Sequence, residues 1–387
     1  MPQLKNLAGR WVEVLLPVAA VVGALAIGAV ILILLKTNPL TAYKSLFVGA
    51  FGNKNGLADT LVTATPLLLV ALGVTIAFRA NVINIGGEGQ LIMAALLTTY
   101  IATKLGDKWP GLVIIIVCLL AGSLIGGAWA ALAGILKARL GVNEILSTIM
   151  LNQIAIQIGY YLLRGPMMDP AEKAAGTNIP HSARLVKAAD LLRFADLAKS
   201  VGFTKSAKAA GIKGFSAELY GLFAEPTRLH IGFLIAIGMA LLVYIFLWRT
   251  TIGYRIRAVG LNPDAARYAG MNVPGYMVWA MGLSGALVGL AGAVEILGLH
   301  HRMFEPAAVS AGYGFSGIVV ALFGKLHPLG AIPSAILFGG LLVGGDKMQR
   351  AVQIPQVFVT ALLGLIVLFV VSSDLWARRR ASRRGVK

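Results

Sequence analysis

The chain has 387 residues, 58% hydrophobic and only 13% charged, with 34 Lys and Arg against 16 Asp and Glu and a net charge of +18; its mean hydropathy is +0.80. So apolar a composition excludes a soluble globular protein, and the basic excess then belongs to loops on the cytoplasmic side of a membrane rather than to nucleic-acid binding. The one cysteine, Cys118, lies inside an apolar run, which excludes an intrachain disulfide and points to a small core residue.

In chain order, Val14 to Leu35 follows Lys5 and Arg10 and is long enough to span. No small-residue cleavage site precedes Lys36, so this run is expected to stay as a signal anchor with its N-terminus inside. Asn38-Pro39, Gly52-Asn53 and Asn55-Gly56 punctuate a loop, and Leu61 to Phe78 is expected to form a second span ending at Arg79. The stretch from Asn81 through Asn84, Gly86, Gly87 and Glu88 to Gln90 then leads into an apolar helix. At membrane depth such groups must face protein or a water-filled path. Asn84 is expected to cap that helix with Glu88 at its positive end, to line a solute path, or to do both.

Leu112 to Leu136 is a further span on which Gly122, Gly126, Ala130 and Gly134 recur every fourth residue, a face for close helix packing. In the next helix Glu144, Thr148 and Asn152 share one stripe, flanked by Gln153 and Gln157. The stripe fits either a solute path or simple interhelical hydrogen bonding. A hydrophilic segment follows over 164–228, and within it SARLVKAADLLRFADLAKSV reads as a surface helix, with a membrane-surface or partner contact as its functional alternative.

After Leu229 to Trp248 comes a basic stretch with its own helix punctuation. Asn262 can cap, Pro263 suits the first helical position, Asp264 faces the positive end of the dipole and Gly270 can close the helix. A helix that short is unstable alone in water and needs a partner surface. Tyr276 to Leu299 carries Gly282, Gly285, Gly289 and Gly292 on one face, with Glu295 near its far end, expected at the interface or in an interhelical bond rather than on solute. His300 and His301 lack the further ligand spacing of a metal site. A broken helix, a Lys325 to Pro328 turn, another span, and Pro355 to Ser373 complete the bundle before the tail WARRRASRRGVK.

About ten apolar passes result, with both termini on one side. The loops assigned inside carry about twice as many Lys and Arg as the short outside loops, which places the Arg249 to Met271 stretch inside. The expectation is an all-α polytopic inner-membrane helical bundle: one transmembrane domain over 1–387, with an extracytoplasmic loop at 164–228, a cytoplasmic loop at 249–274 and a basic cytoplasmic tail at 376–387. A weak internal echo relates GGEGQLIMAAL to GYGFSGIVVALFG, two glycine-interrupted segments of the kind found at the repeat interface of transporters. No phosphate-binding GxxxxGK[ST] loop, HExxH, CxxC or supported nucleophile elbow occurs, so this chain is not read as an enzyme. Two transport classes remain: an ion-coupled secondary transporter using Glu88, Glu144 or Glu295, and an ATP-driven system whose ATPase is a separate chain.

The motifs NVINIGGEGQ, VNEILSTIMLNQIA, RAVGLNPDAARYAGMNV, GYGFSGIVVALFGKLHPLG and GGDKMQR occur in that order. Together they resemble the permease subunits of bacterial ABC importers in the branched-chain amino acid, ribose and nucleoside group, above all its nucleoside branch. The resemblance implies an importer of nucleosides or a related small polar, sugar-like solute. It implies a second homologous permease, an ABC ATPase subunit that binds ATP and Mg, and an extracytoplasmic solute-binding lipoprotein or periplasmic binding protein as partners. The chain itself would hold no cofactor and no metal, sit among membrane lipid and bind no nucleic acid. The segment Gly260 to Met271 is similar to the coupling helix of that group, which assigns ATPase coupling to Arg257, Gly260, Asn262, Pro263, Asp264, Arg267, Tyr268 and Gly270. The solute path is assigned to Asn81, Asn84, Glu88, Gln90, Glu144, Thr148 and Asn152. Extra sequence from about Leu191 to Ala224 departs from the group's shorter external loop, which bears on how a binding protein would sit there.

Overall fold

The computed structural model describes residues 19, 21–177, 179–200, 202, 214–355, 357–362, 364–366, 368–369 and 372. Lys5, Arg10, the first part of the Val14 to Leu35 span and the 376–387 tail lie outside the described residues. In chain order the helices are α1 (Val21–Leu34), α2 (Pro39–Phe51), α3 (Lys54–Arg79), α4 (Gly87–Leu105), α5 (Gly111–Leu140), α6 (Glu144–Arg164), α7 (Pro170–Ala174), α8 (Phe194–Ser200) and α9 (Phe215–Ala224). There follow α10 (Gly232–Arg249), α11 (Thr251–Leu261), α12 (Pro263–Tyr268), α13 (Val273–Glu295), α14 (Pro306–Ser310), α15 (Tyr313–Phe323) and α16 (Pro328–Val352). The protein is an all-α polytopic helical bundle. Among the described residues, seven segments are long and apolar enough to cross a membrane: α3, α5, α6, α10, α13 with its π-helical extension, α14 with α15, and α16. Shorter apolar helices occur at Val21–Leu34 and Val357–Ile366.

The chain divides into two compact units, Met1–Thr60 with Gly340–Lys387, and Leu61–Gly339. In the first, Asn38 caps α2 ahead of Pro39 and accepts the Leu40 N–H. The Tyr43 hydroxyl donates to the Leu25 carbonyl at 2.6 Å, and Thr60 donates to the Ala50 carbonyl at 3.0 Å. Asn55-Gly56, read above as loop punctuation, lies in the first turn of α3. The reason is local: the Asn53 side chain accepts the Gly56 N–H at 2.8 Å and so starts the helix before it.

The second unit is built on α4, α5 and α13. The small-residue faces of α5 and α13 meet each other, and a Cβ on Gly126 would collide with the backbone of Gly285 and Gly289. Backbones this close gain dispersion contacts that larger residues would prevent, the main source of helix association where lipid replaces water. After Glu295, α13 runs into a π-helical turn, Ile296–His300, and His301 leaves it with φ 55°.

The segment from Ser182 onward corrects the surface-helix reading. It is helical only at α8 and in one 3₁₀ turn, Lys187–Ala189. Elsewhere it is an extended strap: the N–H groups of Ser182, Leu185 and Leu191 donate to the carbonyls of Met303, His301 and Leu297 at 2.8 Å each. The π turn, at Leu297, and the segment that leaves it, at His301 and Met303, have carbonyls that their own helix does not satisfy, and the strap supplies the donors. Leu185, Ala189, Leu191 and Ala195, which gave the apparent helical spacing, are the residues it buries. Of the extra sequence, Phe194 of α8 meets Phe223 of α9 edge to face at 5.4 Å; residues 203–213 lie outside the described residues.

Candidate functional site

Two places in the second unit carry chemistry that the packing alone does not require. One is the break between α3 and α4. Asn81 turns the chain at φ 56°, a left-handed conformation that Asn tolerates, and its side chain is exposed. It therefore stands apart from the other residues assigned to the path. Asn84 is buried and makes every hydrogen bond its amide can make. Its nitrogen donates to Ser284 Oγ at 2.8 Å and to Gln90 Oε1 at 3.1 Å, and its oxygen accepts from the Gly86 N–H at 2.9 Å and Gln90 Nε2 at 2.8 Å. Asn84 does not cap α4; Gly86 holds that position with no side-chain cap. The geometric reason is that Asn84 closes a tight turn on the Gly86 N–H, which precedes the first helical turn.

Glu88, in that first turn, reaches across to another helix. Its Oε1 accepts the backbone N–H of Gly314 at 2.8 Å and that of Phe315 at 3.4 Å. The buried carboxylate so occupies the positive end of α15. The approach needs glycine on both sides, since a Cβ on Gly87 would lie 2.8 Å from Gly314 Cα. The two glycine-interrupted segments of the internal echo are therefore in direct contact.

From α6, Asn152 clamps the same break, accepting the Gly89 N–H at 2.8 Å and donating to the Ile85 carbonyl at 3.0 Å. Glu144 pairs with Lys137 and accepts the Ile83 N–H at 3.4 Å. Thr148 bonds back to the Glu144 carbonyl at 2.7 Å. Glu88, Gln90, Asn84, Asn152, Thr148 and Glu144 are thus all buried; Asn84, Asn152, Glu144 and Glu88 bond backbone groups that the two breaks leave open, Gln90 braces the Asn84 amide, and Thr148 bonds back within α6. Ser284 and Lys137 were missed as members. Ser284 is the one serine in a glycine-rich apolar helix, the only signal available for it; Lys137 read as a loop marker. Glu295 is fully buried and lies 3.5 Å from His300 Nε2 on the π turn, away from the cluster.

The other place is the α11–α12 hairpin. Thr250 caps α11, accepting the Gly253 N–H at 3.1 Å. Asn262 caps α12, accepting from the Asp264 and Ala265 N–H groups at 3.1 and 3.0 Å, with Pro263 at the first helical position. Gly270 closes it at φ 77°, and the Met271 N–H returns to the Ala266 carbonyl. The inner face packs Val259, Ala266 and Val273 with Met271, Tyr276 and Met277. Gly260 lies against the Arg79 carbonyl, and Arg257 turns back over the Trp248 ring at 5.5 Å. The outer face keeps Leu261 88% and Tyr268 94% exposed, beside exposed Tyr254 and Ile252. Asp264 and Arg267 stand 3.9 Å apart on the same surface. Of the coupling residues named from sequence, Asp264, Arg267 and Tyr268 therefore face outward, Arg257 and Gly260 face inward, and Asn262, Pro263 and Gly270 shape the helix.

Residues 56–371 match the family described as Branched-chain amino acid transport system / permease component. The glucose ABC transporter permease protein TsgB13 of Haloferax volcanii is 33% identical over 380 residues, covering 97% of this chain and 92% of that protein. The guanosine ABC transporter permease protein NupP of Bacillus subtilis is 32% identical, covering 94% of each chain. The nucleoside ABC transporter permease protein NupB of Lactococcus lactis is 30% identical, covering 92% of this chain and 90% of that one. No solved structure matches the chain.

Proposed function

Because this chain belongs to the permease-component family of branched-chain amino acid transport systems, we propose that it is the membrane subunit of an ATP-driven importer for nucleosides or sugar-like solutes, docking a separate ATPase on α11–α12. The cargo class is supported by relatives that are permeases for guanosine, nucleosides and glucose. The single observation that carries the docking reading is the outer face of α12. Tyr268 at the end of this two-turn, self-capped helix and Leu261 at the end of α11 just before it are almost fully exposed, which a hairpin folded only to connect two spans does not need.

On this reading α11–α12 faces the cytoplasm, both termini lie on that side of the inner membrane, and ATP and Mg are bound by the ATPase. A second, homologous permease and an extracytoplasmic solute-binding protein complete the complex. The buried cluster around Asn84 and Glu88 borders the solute path, and nucleotide-driven closure of the ATPase shifts the permease between inward-open and outward-open states. The test is co-purification of the ATPase with the permease complex. Leu261→Asp with Tyr268→Asp is expected to lose the ATPase while the permease still inserts. Uptake of labelled guanosine or glucose into proteoliposomes is expected to require internal ATP and to survive dissipation of proton and sodium gradients. Gradient-dependent uptake without ATP would sink the proposal in favour of a secondary transporter.

A further inference from the structure

Trp248, the penultimate residue of α10, lies where three elements converge. The Arg257 guanidinium of α11 sits 5.5 Å from its ring centroid and the Arg79 guanidinium of α3 sits 5.3 Å from it. The His327 ring, from the turn between α15 and α16, lies 5.0 Å away. Arg79 also grips that turn directly, its Nε and Nη2 donating to the Leu326 carbonyl at 3.2 and 2.9 Å. The gripped turn is strained: Lys325 and Leu326 hold φ 55° and 51° in succession, a left-handed conformation neither residue favours. Arg257 Nε is buried without a hydrogen-bond partner, and among the described residues neither arginine has an acidic ion-pair partner. Two like charges held around one indole make a poor static support and a sensitive joint, because each draws on the same ring.

We infer that Arg79, Trp248 and Arg257 form a joint that transmits movement of α11–α12 to the strained α15–α16 turn, and that Trp248 is its positioning residue. This rests on the reading of α11–α12 as the ATPase dock. When the docked hairpin moves, Arg257 moves with it; the ring it shares with Arg79 then shifts, and the hold on the Leu326 carbonyl loosens or tightens. That turn starts α16 and ends α15, whose other end receives Glu88. The joint is therefore connected to the buried polar cluster through α15, held by the Arg79 hydrogen bonds at one end and by the Glu88 hydrogen bond at the other.

The experiment uses the assembled permease–ATPase complex in proteoliposomes, with labelled guanosine and glucose as probes. Trp248→Leu is expected to keep its ATPase bound but to lower uptake per ATP hydrolysed at least ten-fold, with Trp248→Phe, which keeps a ring, recovering most of it. In the wild-type complex a non-hydrolysable ATP analogue is expected to change amide hydrogen exchange at residues 324–327, a measurement that needs no variant to fold. Wild-type coupling in Trp248→Leu, loss of the ATPase from it, or unchanged exchange at 324–327 in the wild type would each overturn the joint. The docking reading fails separately, if the Leu261→Asp, Tyr268→Asp variant retains the ATPase.

Discussion

The carboxylate of Glu88 accepts the backbone N–H of Gly314 at 2.8 Å, joining the first turn of α4 to the first turn of α15 across 226 residues of sequence. Two helices that begin inside the bundle both present unsatisfied N–H groups there, and one side chain from the first serves the second. The contact ties together the two glycine-rich breaks.

Removing that acceptor strands the buried Gly314 N–H and frees the half-buried Phe315 N–H. Glu88→Ala is expected to destabilise the protein by about 1 to 3 kcal/mol and to lower solute uptake, whereas Glu88→Gln keeps a carbonyl for Gly314 and should regain most of the stability. Thermal unfolding in detergent and uptake in proteoliposomes separate the two effects.

The α5–α13 seam predicts a steric response. A side chain on Gly126 meets the backbone of Gly285 and Gly289, which cannot swing aside as a flexible side chain would. Gly126→Val should therefore cost about 1 to 3 kcal/mol or more by overpacking. Gly238 in α10 has nothing within 4 Å of its would-be Cβ, so Gly238→Ala should leave the melting temperature unchanged or slightly raised.

His230, at the strap end of α10, gives a pH dependence. Its ring is buried, Nδ1 accepts the Gly232 N–H at 3.1 Å, and the proton of the neutral ring sits on Nε2. Burial first, then the positive charges of His301 and Arg193, lowers its pKa from 6.5 to about 4. Below 6.5 the unfolded chain takes up the proton that the folded chain refuses, so stability contributed by this residue is present above pH 6.5 and is lost as pH falls toward 4. The full loss is about 3 kcal/mol. Melting temperatures between pH 7 and pH 4.5 should show it, and His230→Gln should flatten the curve.

Lys137 and Glu144 form a half-buried pair across the α5–α6 turn. Lys137→Met should destabilise by about 1 to 3 kcal/mol, since the carboxylate left behind has lost its counter-charge. Adding Glu144→Gln should restore part of that loss, because an amide oxygen still accepts the Ile83 N–H without carrying charge. A double-mutant cycle on thermal stability reads the coupling.

Composition and periodicity by themselves determined the membrane-helical class, the seam of small residues and the self-capped helix at Asn262. Each of these depends on groups a few residues apart: Asn262 reaches the N–H groups two and three positions on, and a stripe every fourth residue needs only a helix to become a face. Tertiary structure alone decided the rest. Ser284, 200 residues from Asn84, completes its hydrogen bonding, and Arg79 finds the Leu326 carbonyl 247 residues away. The apolar spacing after Ser182 described burial, yet the backbone there took its partners from the π turn after α13 and the segment leaving it rather than from itself. Where local hydrogen bonding saturates the backbone, sequence suffices; where a helix is broken inside the bundle, its open groups bind whatever the packing brings near, and that choice belongs to the fold.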